Sequence, residues 1–156
     1  TFPNAKYIFS KREYETWEAE TKKGSNPPGN VWLQNCQPIM EAEQAILVDD
    51  DFQLDDMVWI TSTPGHSPGH VCINLQSGHR RAVFSGDVMH HALQCIEPDW
   101  SSCFCWDAHQ SALTRRKLLA SVADTDTLVM PAHFPSPTAG RVISKGEAYQ
   151  FNFIKD

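Results

Sequence analysis

Two histidines four residues apart stand in a stretch that cannot form a helix. Residues 63–70 read TPGHSPGH, and this mixture of proline and glycine interrupts helical hydrogen bonding. The preceding residues, 57–61, are rich in β-branched and aromatic side chains and predict a buried strand. His66 is therefore expected just past a strand end, on a loop that can present an imidazole nitrogen to a metal ion.

The same arrangement recurs twice further along the chain. The apolar run 82–85 leads through Gly86 to Asp87, and the apolar run 127–130 leads within three residues to His133. Each predicted strand thus delivers one residue whose nitrogen or carboxylate oxygen can bind a zinc-like ion. A single histidine after a strand is more often a surface residue, but three such coincidences in one chain predict a metal site.

These segments resemble, in order and approximate spacing, the later metal-ligand motifs of the metallo-β-lactamase-fold hydrolases. The resemblance covers most of the chain. Within the family, the segments are most similar to those of the single-domain lactonase-like and organophosphate-hydrolase-like members. It implies an α/β fold, namely part of an αββα sandwich, with residues 1–156 forming a single domain. The quoted segments are residues 63–70, Ser85-Gly86-Asp87 and Pro131-Ala132-His133-Phe134.

The resembling hydrolases also carry an early H-x-H-x-D-H motif that supplies the other ligands of a two-metal site. No H-x-H occurs in this chain, and every histidine lies at position 66 or later. We therefore expect the chain to correspond to the C-terminal part of such a hydrolase, an N-terminally incomplete domain. Because a truncated sandwich leaves apolar sheet surface uncovered, we expect a homo-oligomer such as a dimer, or a complementing N-terminal fragment.

The resemblance implies that His66, Asp87 and His133 are metal ligands and that a complete site holds two divalent metal ions, preferably zinc. Asp87 would bridge the ions through its two oxygens, while each histidine holds one ion. Such ions acidify water and polarise a carbonyl or phosphoryl oxygen, so hydrolysis needs no side-chain nucleophile. With two protein ligands per ion, this chain alone is expected to bind metal weakly or not at all. A single ion shared by all three residues is the alternative.

Further histidines and aromatic residues lie close to these ligands in sequence. His90 and His91 follow Asp87 closely enough to face the cleft, so all three are candidate catalytic residues, and one of the two histidines would contact the substrate. His70 is expected to support the ligands from behind or to belong to the following strand. Three aromatic residues either wall an apolar pocket or pack in the core, and the sequence leaves both open: Trp100, Phe104 and Trp106.

Two functions follow from this set of residues. The first is a metal-dependent hydrolase of a small ester, lactone or phosphotriester, with a small molecule as substrate. The second, prompted by the missing early motif, is a catalytically silent half-domain that acts as an assembly or binding module. Whether the chain alone is an enzyme stays open between them.

Composition excludes other partners. The 156 residues are 41% hydrophobic and 21% charged, which is typical of a globular domain, and no apolar run approaches the roughly 18 residues that span a membrane. A net charge of -6 argues against a nucleic-acid partner. The five cysteines form no C-x-x-C pair, and an odd number fits a reducing, cytoplasmic location. We expect Cys103 and Cys105 to be ordinary buried thiols.

Hydrophobic patterns predict the elements that position these residues. A helix capped by Ser10 follows a strand at 5–9, and a second helix begins at Asp107 with an apolar arc. Arg115 and Arg116 interrupt this arc and are expected to carry their charges out to water. The other predicted elements are a loop at 24–30, an irregular or helical piece at 31–40, an acidic turn at 49–51, strands at 46–48, 58–60, 71–75, 82–84 and 128–130, and a closing hairpin over 141–153.

Overall fold

The computed structural model describes residues 2–24 and 32–154. The chain divides into two compact units, Thr1–Asp50 and Asp51–Asp156, and the single domain expected above stays a prediction. The loop predicted over residues 24–30 lies, except for Gly24, outside the described residues. Within the described ranges no helix is both long and apolar enough to cross a membrane.

The first unit pairs two short parallel strands and carries the first predicted helix. Strand β1 runs in register with β2, from Tyr7 opposite Ala45 to Ser10 opposite Val48. The predicted cap is confirmed, since Ser10 Oγ accepts a hydrogen bond from the Glu13 backbone N–H at 3.3 Å. The elements are β1 (Tyr7–Ser10), α1 (Lys11–Lys22), a π-helical turn (Trp32–Cys36), α2 (Gln37–Glu41) and β2 (Ala45–Val48).

The second unit is a six-stranded mixed sheet whose strands pair in the order of the sequence. All neighbours are antiparallel except β5 and β6, which run parallel and therefore need a crossover connection. Two helices lie within that connection, α3 (Leu93–Ile96) and α4 (Ala108–Val122). The strands are β3 (Val58–Ser62), β4 (Val71–Ser77), β5 (Arg80–Gly86), β6 (Leu128–Pro131), β7 (Gly140–Lys145) and β8 (Ala148–Phe153). The α/β class and the predicted strands are confirmed.

One face of this sheet forms the core of the second unit. Because side chains alternate across a strand, Val83 and Val129 point to the same face, where Leu119 and Val122 of α4 join them in one buried cluster. The cluster also contains Cys72, Val88, Met89, Cys95, Phe134, Val142 and Phe151.

The opposite face of the sheet is also apolar but is only partly covered. Ile60, Ile73, Phe84 and Met130 stand opposite one another across four strands. Ile73 is 42% exposed and Phe84 is 44% exposed, unlike the buried residues of the core face. A row of four apolar side chains that remains accessible is a surface suited to contact with another apolar face.

Helix α4 begins as predicted but carries an unexpected buried cation. Asp107 caps the helix, since its Oδ1 accepts a hydrogen bond from Gln110 N–H at 2.9 Å. Ala112, Leu119 and Val122 are buried on the predicted arc. The expectation that Arg115 carries its charge to water is wrong, because its side chain is 0% exposed.

Arg115 is tolerated inside the protein because its guanidinium group donates to four oxygen atoms. Its Nε donates to the Val88 carbonyl at 2.8 Å, and its Nη1 donates to the carbonyls of Pro98 and Trp100. Its Nη2 donates to Ser111 Oγ at 3.0 Å, one turn earlier in α4. A buried charge is stable only with such hydrogen bonds, so Arg115 attaches the segment after β5 to α4.

We expect Arg115→Met to lower the free energy of unfolding by about 3 kcal/mol, because the buried carbonyl groups lose their donor. Urea denaturation of the purified chain measures this change. Arg116→Met is the matched control, since Arg116 makes an ion pair with Asp99 at 2.6 Å that is exposed and screened by water, so its loss should change stability little. Equal losses in the two variants would contradict the assignment of Arg115 as the attachment point.

Candidate metal centre

The direction of three strands brings the predicted ligands to one edge of the sheet. Strands β3 and β5 both run antiparallel to β4, and β6 runs parallel to β5. The three strands therefore point the same way, and their carboxyl ends lie at the same edge. His66, Asp87 and His133 each follow one of these ends, which is why residues far apart in sequence meet.

Asp87 lies between two imidazole rings. Its Oδ2 is 3.0 Å from His66 Nε2, and its Oδ1 is 3.2 Å from His133 Nε2. Each carboxylate oxygen thus faces a different histidine, as a bridging carboxylate would. The loops that follow β5 and β6 are also joined directly, because Ala132 N–H donates to the Gly86 carbonyl at 3.2 Å.

His90 adds a fourth group to this cluster. Its Nε2 lies 3.7 Å from the same Asp87 Oδ2 that His66 approaches. Its ring stacks on that of His133, with centroids 4.9 Å apart and an interplanar angle of 7°. One donor atom from each of His66, Asp87 and His90 lies within 4.8 Å of the others, close enough for a shared metal ion.

His91 lies beside this cluster, two residues before α3 begins. Its Nδ1 accepts a hydrogen bond from Leu93 N–H at 3.1 Å. With His90 it lines a cleft of about 220 Å³, whose other walls are Leu93, Gln94, Trp100, Ser101 and Ser102. Trp100 is thus a pocket residue, and the alternative of core packing is wrong for all three aromatic residues, because Trp100, Phe104 and Trp106 are all exposed.

The loop that carries His66 is anchored on the start of α4. Gly65 has a φ of +135°, and a side chain there would collide with the backbone of Ser111, so only glycine fits. Thr114 Oγ1 donates to the Pro64 carbonyl at 2.6 Å. These contacts fix the backbone on the N-terminal side of His66.

His70 supports Asp87 from behind, one of the two roles expected for it. Its Nε2 accepts a hydrogen bond from the Asp87 backbone N–H at 3.0 Å, and its Nδ1 lies 2.8 Å from Thr63 Oγ1. Gly86, with a φ of +50°, lets the two segments approach, because a Cβ there would lie 2.8 Å from His70 Nε2. The His70 ring therefore fixes the position of the Asp87 backbone N–H.

Electrostatics in the cluster favour an ionised carboxylate. The hydrogen bond from His66, together with His133, holds the pKa of Asp87 well below its usual range. The same hydrogen bond raises the pKa of His66, against the opposing effect of its partial burial. Burial lowers the pKa of His90, which the nearby Asp87 partly offsets. Burial therefore favours the neutral form of the His90 ring, in which one nitrogen keeps a lone pair.

The donor set fits a borderline divalent metal ion. Imidazole nitrogens and a carboxylate oxygen are the ligands that zinc accepts, and they converge here from three separate loops. The rings of His66 and His70 are oriented by further hydrogen bonds, which is typical around metal ligands. By contrast, Nδ1 of His90 is buried and has no hydrogen-bond partner among the described residues.

The sequence interpretation missed the position of one thiol. Cys103 and Cys105 were expected to be ordinary buried thiols, but Cys103 is exposed and Cys105 is only partly buried. Cys105 Sγ lies 3.9 Å from His66 Nδ1. No spacing in the sequence could reveal this contact, because the residues are 39 positions apart and meet only when α4 docks beside the His66 loop.

Comparison with known proteins gives no match by sequence and clear matches by structure. No protein-family model and no curated protein matches the chain. The solved structure of AidC, a dizinc quorum-quenching lactonase in complex with a product, matches with a TM-score of 0.83 and 25% identity, covering 99% of this chain and 56% of AidC.

Two further hydrolases show the same likeness. AbOPH, a hydrolase of the β-lactamase superfamily, matches with a TM-score of 0.87 and 25% identity over 99% of this chain and 57% of its own. A probable metal-dependent hydrolase from Staphylococcus aureus matches with a TM-score of 0.76 and 18% identity over 99% of this chain and 54% of its own. The chain therefore has the fold of the metallo-β-lactamase-fold hydrolases and spans about half the length of these neighbours.

Proposed function

We propose that the chain carries the later metal ligands of a metal-dependent hydrolase acting on a small ester, lactone or phosphotriester. The observation that carries the proposal is Asp87, whose two oxygens each face a different histidine at the shared strand edge. The dizinc lactonase among the structural neighbours supports divalent ions and a small-molecule substrate.

His66, Asp87 and His133 would hold the metal, with zinc as the expected ion. When bound, divalent ions would supply Lewis-acid polarisation of the substrate and acidify water. The two sides of Asp87 are not equal, because His66 and His90 both approach Oδ2 whereas His133 alone approaches Oδ1. Since catalytic zinc usually has three protein ligands, two ligands per ion are too few, and the chain alone should bind metal weakly or not at all. The alternative is a single ion shared by His66, Asp87 and His133.

Asp87, His90 and His91 are the proposed catalytic residues. The depressed pKa of Asp87 keeps its carboxylate ionised and ready to bind cations. His90 has no partner for its Nδ1 within the described chain, so no second hydrogen bond locks its ring as a permanent ligand. A neutral His90 in the wall of the cleft is instead suited to hydrogen-bond a substrate oxygen, with His91 and Trp100 beside it.

The alternative function is an assembly or binding module without catalysis. It rests on the apolar row of Ile60, Ile73, Phe84 and Met130, part of which stays exposed on the second face of the sheet. A homo-oligomer or a complementing N-terminal fragment would cover this face. Light scattering separates the cases, since a chain that stays monomeric at high concentration without aggregating counts against the alternative. The cytoplasmic location stays a prediction.

A substrate and metal assay tests the hydrolase proposal. With zinc, manganese or cobalt added in excess, we expect turnover of at least one lactone, aryl ester or phosphotriester. Asp87→Asn should weaken metal binding by at least roughly 10- to 100-fold, which is the loss expected when a residue that hydrogen-bonds a metal ligand is removed. His79→Ala is the matched control, because His79 is an exposed turn residue outside the cluster. Bound metal without turnover on any substrate would remove the hydrolase function for this chain.

We expect pH to act in opposite directions on the metal-free and zinc-loaded chains. Because the pKa of His66 is raised in the folded state, its contribution to stability is complete below its unfolded pKa, near about 6.5, and is lost as pH rises through the folded pKa. Asp87 has a lowered pKa, so its contribution is lost only as pH falls below about 4. In the metal-free chain the stability that His66 contributes should therefore fall as pH rises above about 6.5, whereas the lowered pKa of His90 acts in the opposite direction, so the His66 effect is measured as the difference between the parent and His66→Gln.

Zinc reverses this trend because it binds deprotonated imidazole, so the zinc-loaded chain should gain stability over the same pH range. Thermal unfolding at several pH values, with zinc and with a chelator, measures both trends. His66→Gln should flatten the metal-free trend, since it removes the titrating ring. A difference between the parent and His66→Gln that has the same pH trend with and without zinc would contradict the assignment of His66 as a ligand.

A further inference from the structure

The second nitrogen of the His66 ring faces a thiol. Nε2 of His66 points to Asp87 Oδ2 at 3.0 Å, and Nδ1, on the other side of the ring, lies 3.9 Å from Cys105 Sγ. A thiol can accept a weak hydrogen bond through sulfur and donate one through S–H. Cys105 therefore occupies the position where metal-binding histidines usually meet a carboxylate or carbonyl group.

Cys105 is itself part of a chain of contacts that ends at the buried cation. Its Sγ is 3.5 Å from Ser111 Oγ, to which Arg115 Nη2 donates at 3.0 Å. Arg115 can only donate hydrogen bonds and is fixed by the carbonyls of Val88 and Pro98. The position of the thiol is therefore fixed, through Ser111, by the fully buried side chain of Arg115.

Backbone hydrogen bonds hold the thiol and the imidazole in register. Trp106 N–H donates to the His66 carbonyl at 2.9 Å, and Asp107 N–H donates to the Gly65 carbonyl at 3.0 Å. The residue directly after Cys105 therefore binds the backbone of His66 itself. This pairing of segments keeps the side chain of Cys105 beside the ring of His66.

We propose that Cys105 is a positioning residue that accepts the Nδ1–H of His66 and so leaves the Nε2 lone pair directed toward the metal position beside Asp87. This inference rests on the proposed function, because it assigns how one metal ligand is oriented. In this arrangement the S–H of Cys105 donates to Ser111 Oγ, which also accepts from Arg115. The thiol then selects the imidazole tautomer required for metal binding through Nε2.

Zinc competition with a chromogenic chelator tests the role of the thiol. Cys105→Ala should weaken zinc binding by about 10- to 100-fold, the range found for partners of metal-binding histidines. Cys105→Ser should restore most of the affinity, because a hydroxyl can accept and donate in the same place. Cys103→Ala is the matched control, since this exposed thiol lies two residues away and should leave the affinity unchanged. Equal affinities of Cys105→Ala and the parent would overturn the proposal.

A measurement without metal separates this inference from the proposed function. In the nitrogen-15-labelled, metal-free chain, the Nδ1 resonance of His66 should move in Cys105→Ala, while Cys103→Ala should leave it in place. An unchanged resonance in Cys105→Ala would overturn the contact that the inference needs. If the parent chain binds no zinc at any concentration, the proposed function fails, and the nitrogen-15 comparison still decides the position of the thiol. Circular dichroism confirms that each variant is folded before it is compared.

Discussion

The carboxylate of Asp87 is the group on which the arrangement of the site depends. Three imidazole rings, those of His66, His90 and His133, gather around this one anion. Clustered imidazoles repel one another when protonated, so the cluster is stable only if a carboxylate or a metal ion balances them. His66 Nε2 lies 3.0 Å from Asp87 Oδ2, and the hydrogen bond between them lies where the proposed cation would bind. The same geometry thus explains the shifted pKa values and the fit to a divalent ion.

The site is held by helix α4 as much as by the strands that carry its ligands. The helix receives the His66 loop against Gly65 and Ser111, where no side chain would fit. From its buried face, Arg115 reaches the carbonyl of Val88, directly after Asp87. One helix therefore fixes both halves of the cluster relative to each other. A buried arginine does this better than an apolar residue, because it binds several carbonyl oxygens in different segments at once.

The meeting of the three candidate ligands could be predicted because it depends on strand ends, and strand ends are visible in sequence. Runs of β-branched residues followed by glycine or proline placed His66, Asp87 and His133 past β3, β5 and β6. Because those strands run in the same direction, the three residues lie at the same edge of the sheet. The caps at Ser10 and Asp107 were equally visible, since they depend on residues three positions apart.

Contacts made only by tertiary packing could not be predicted in this way. Arg115 interrupts an apolar arc, and nothing local indicates that carbonyl groups 15 to 27 residues away will receive its guanidinium group. The proximity of Cys105 to His66 depends on the docking of α4, and the approach of His90 to Asp87 Oδ2 depends on the turn after β5. Side-chain partners of this kind are fixed by the fold, whereas residue type and spacing indicate only the candidate ligands.

A zinc-edge anomalous diffraction measurement on crystals of the chain grown with zinc tests the central claim most directly. The account predicts an anomalous peak beside Asp87, about 2.0 to 2.2 Å from His66 Nε2 and from a carboxylate oxygen of Asp87. Zinc bound at other sites, with the hydrogen bond between His66 and Asp87 intact and no peak between them, would contradict it.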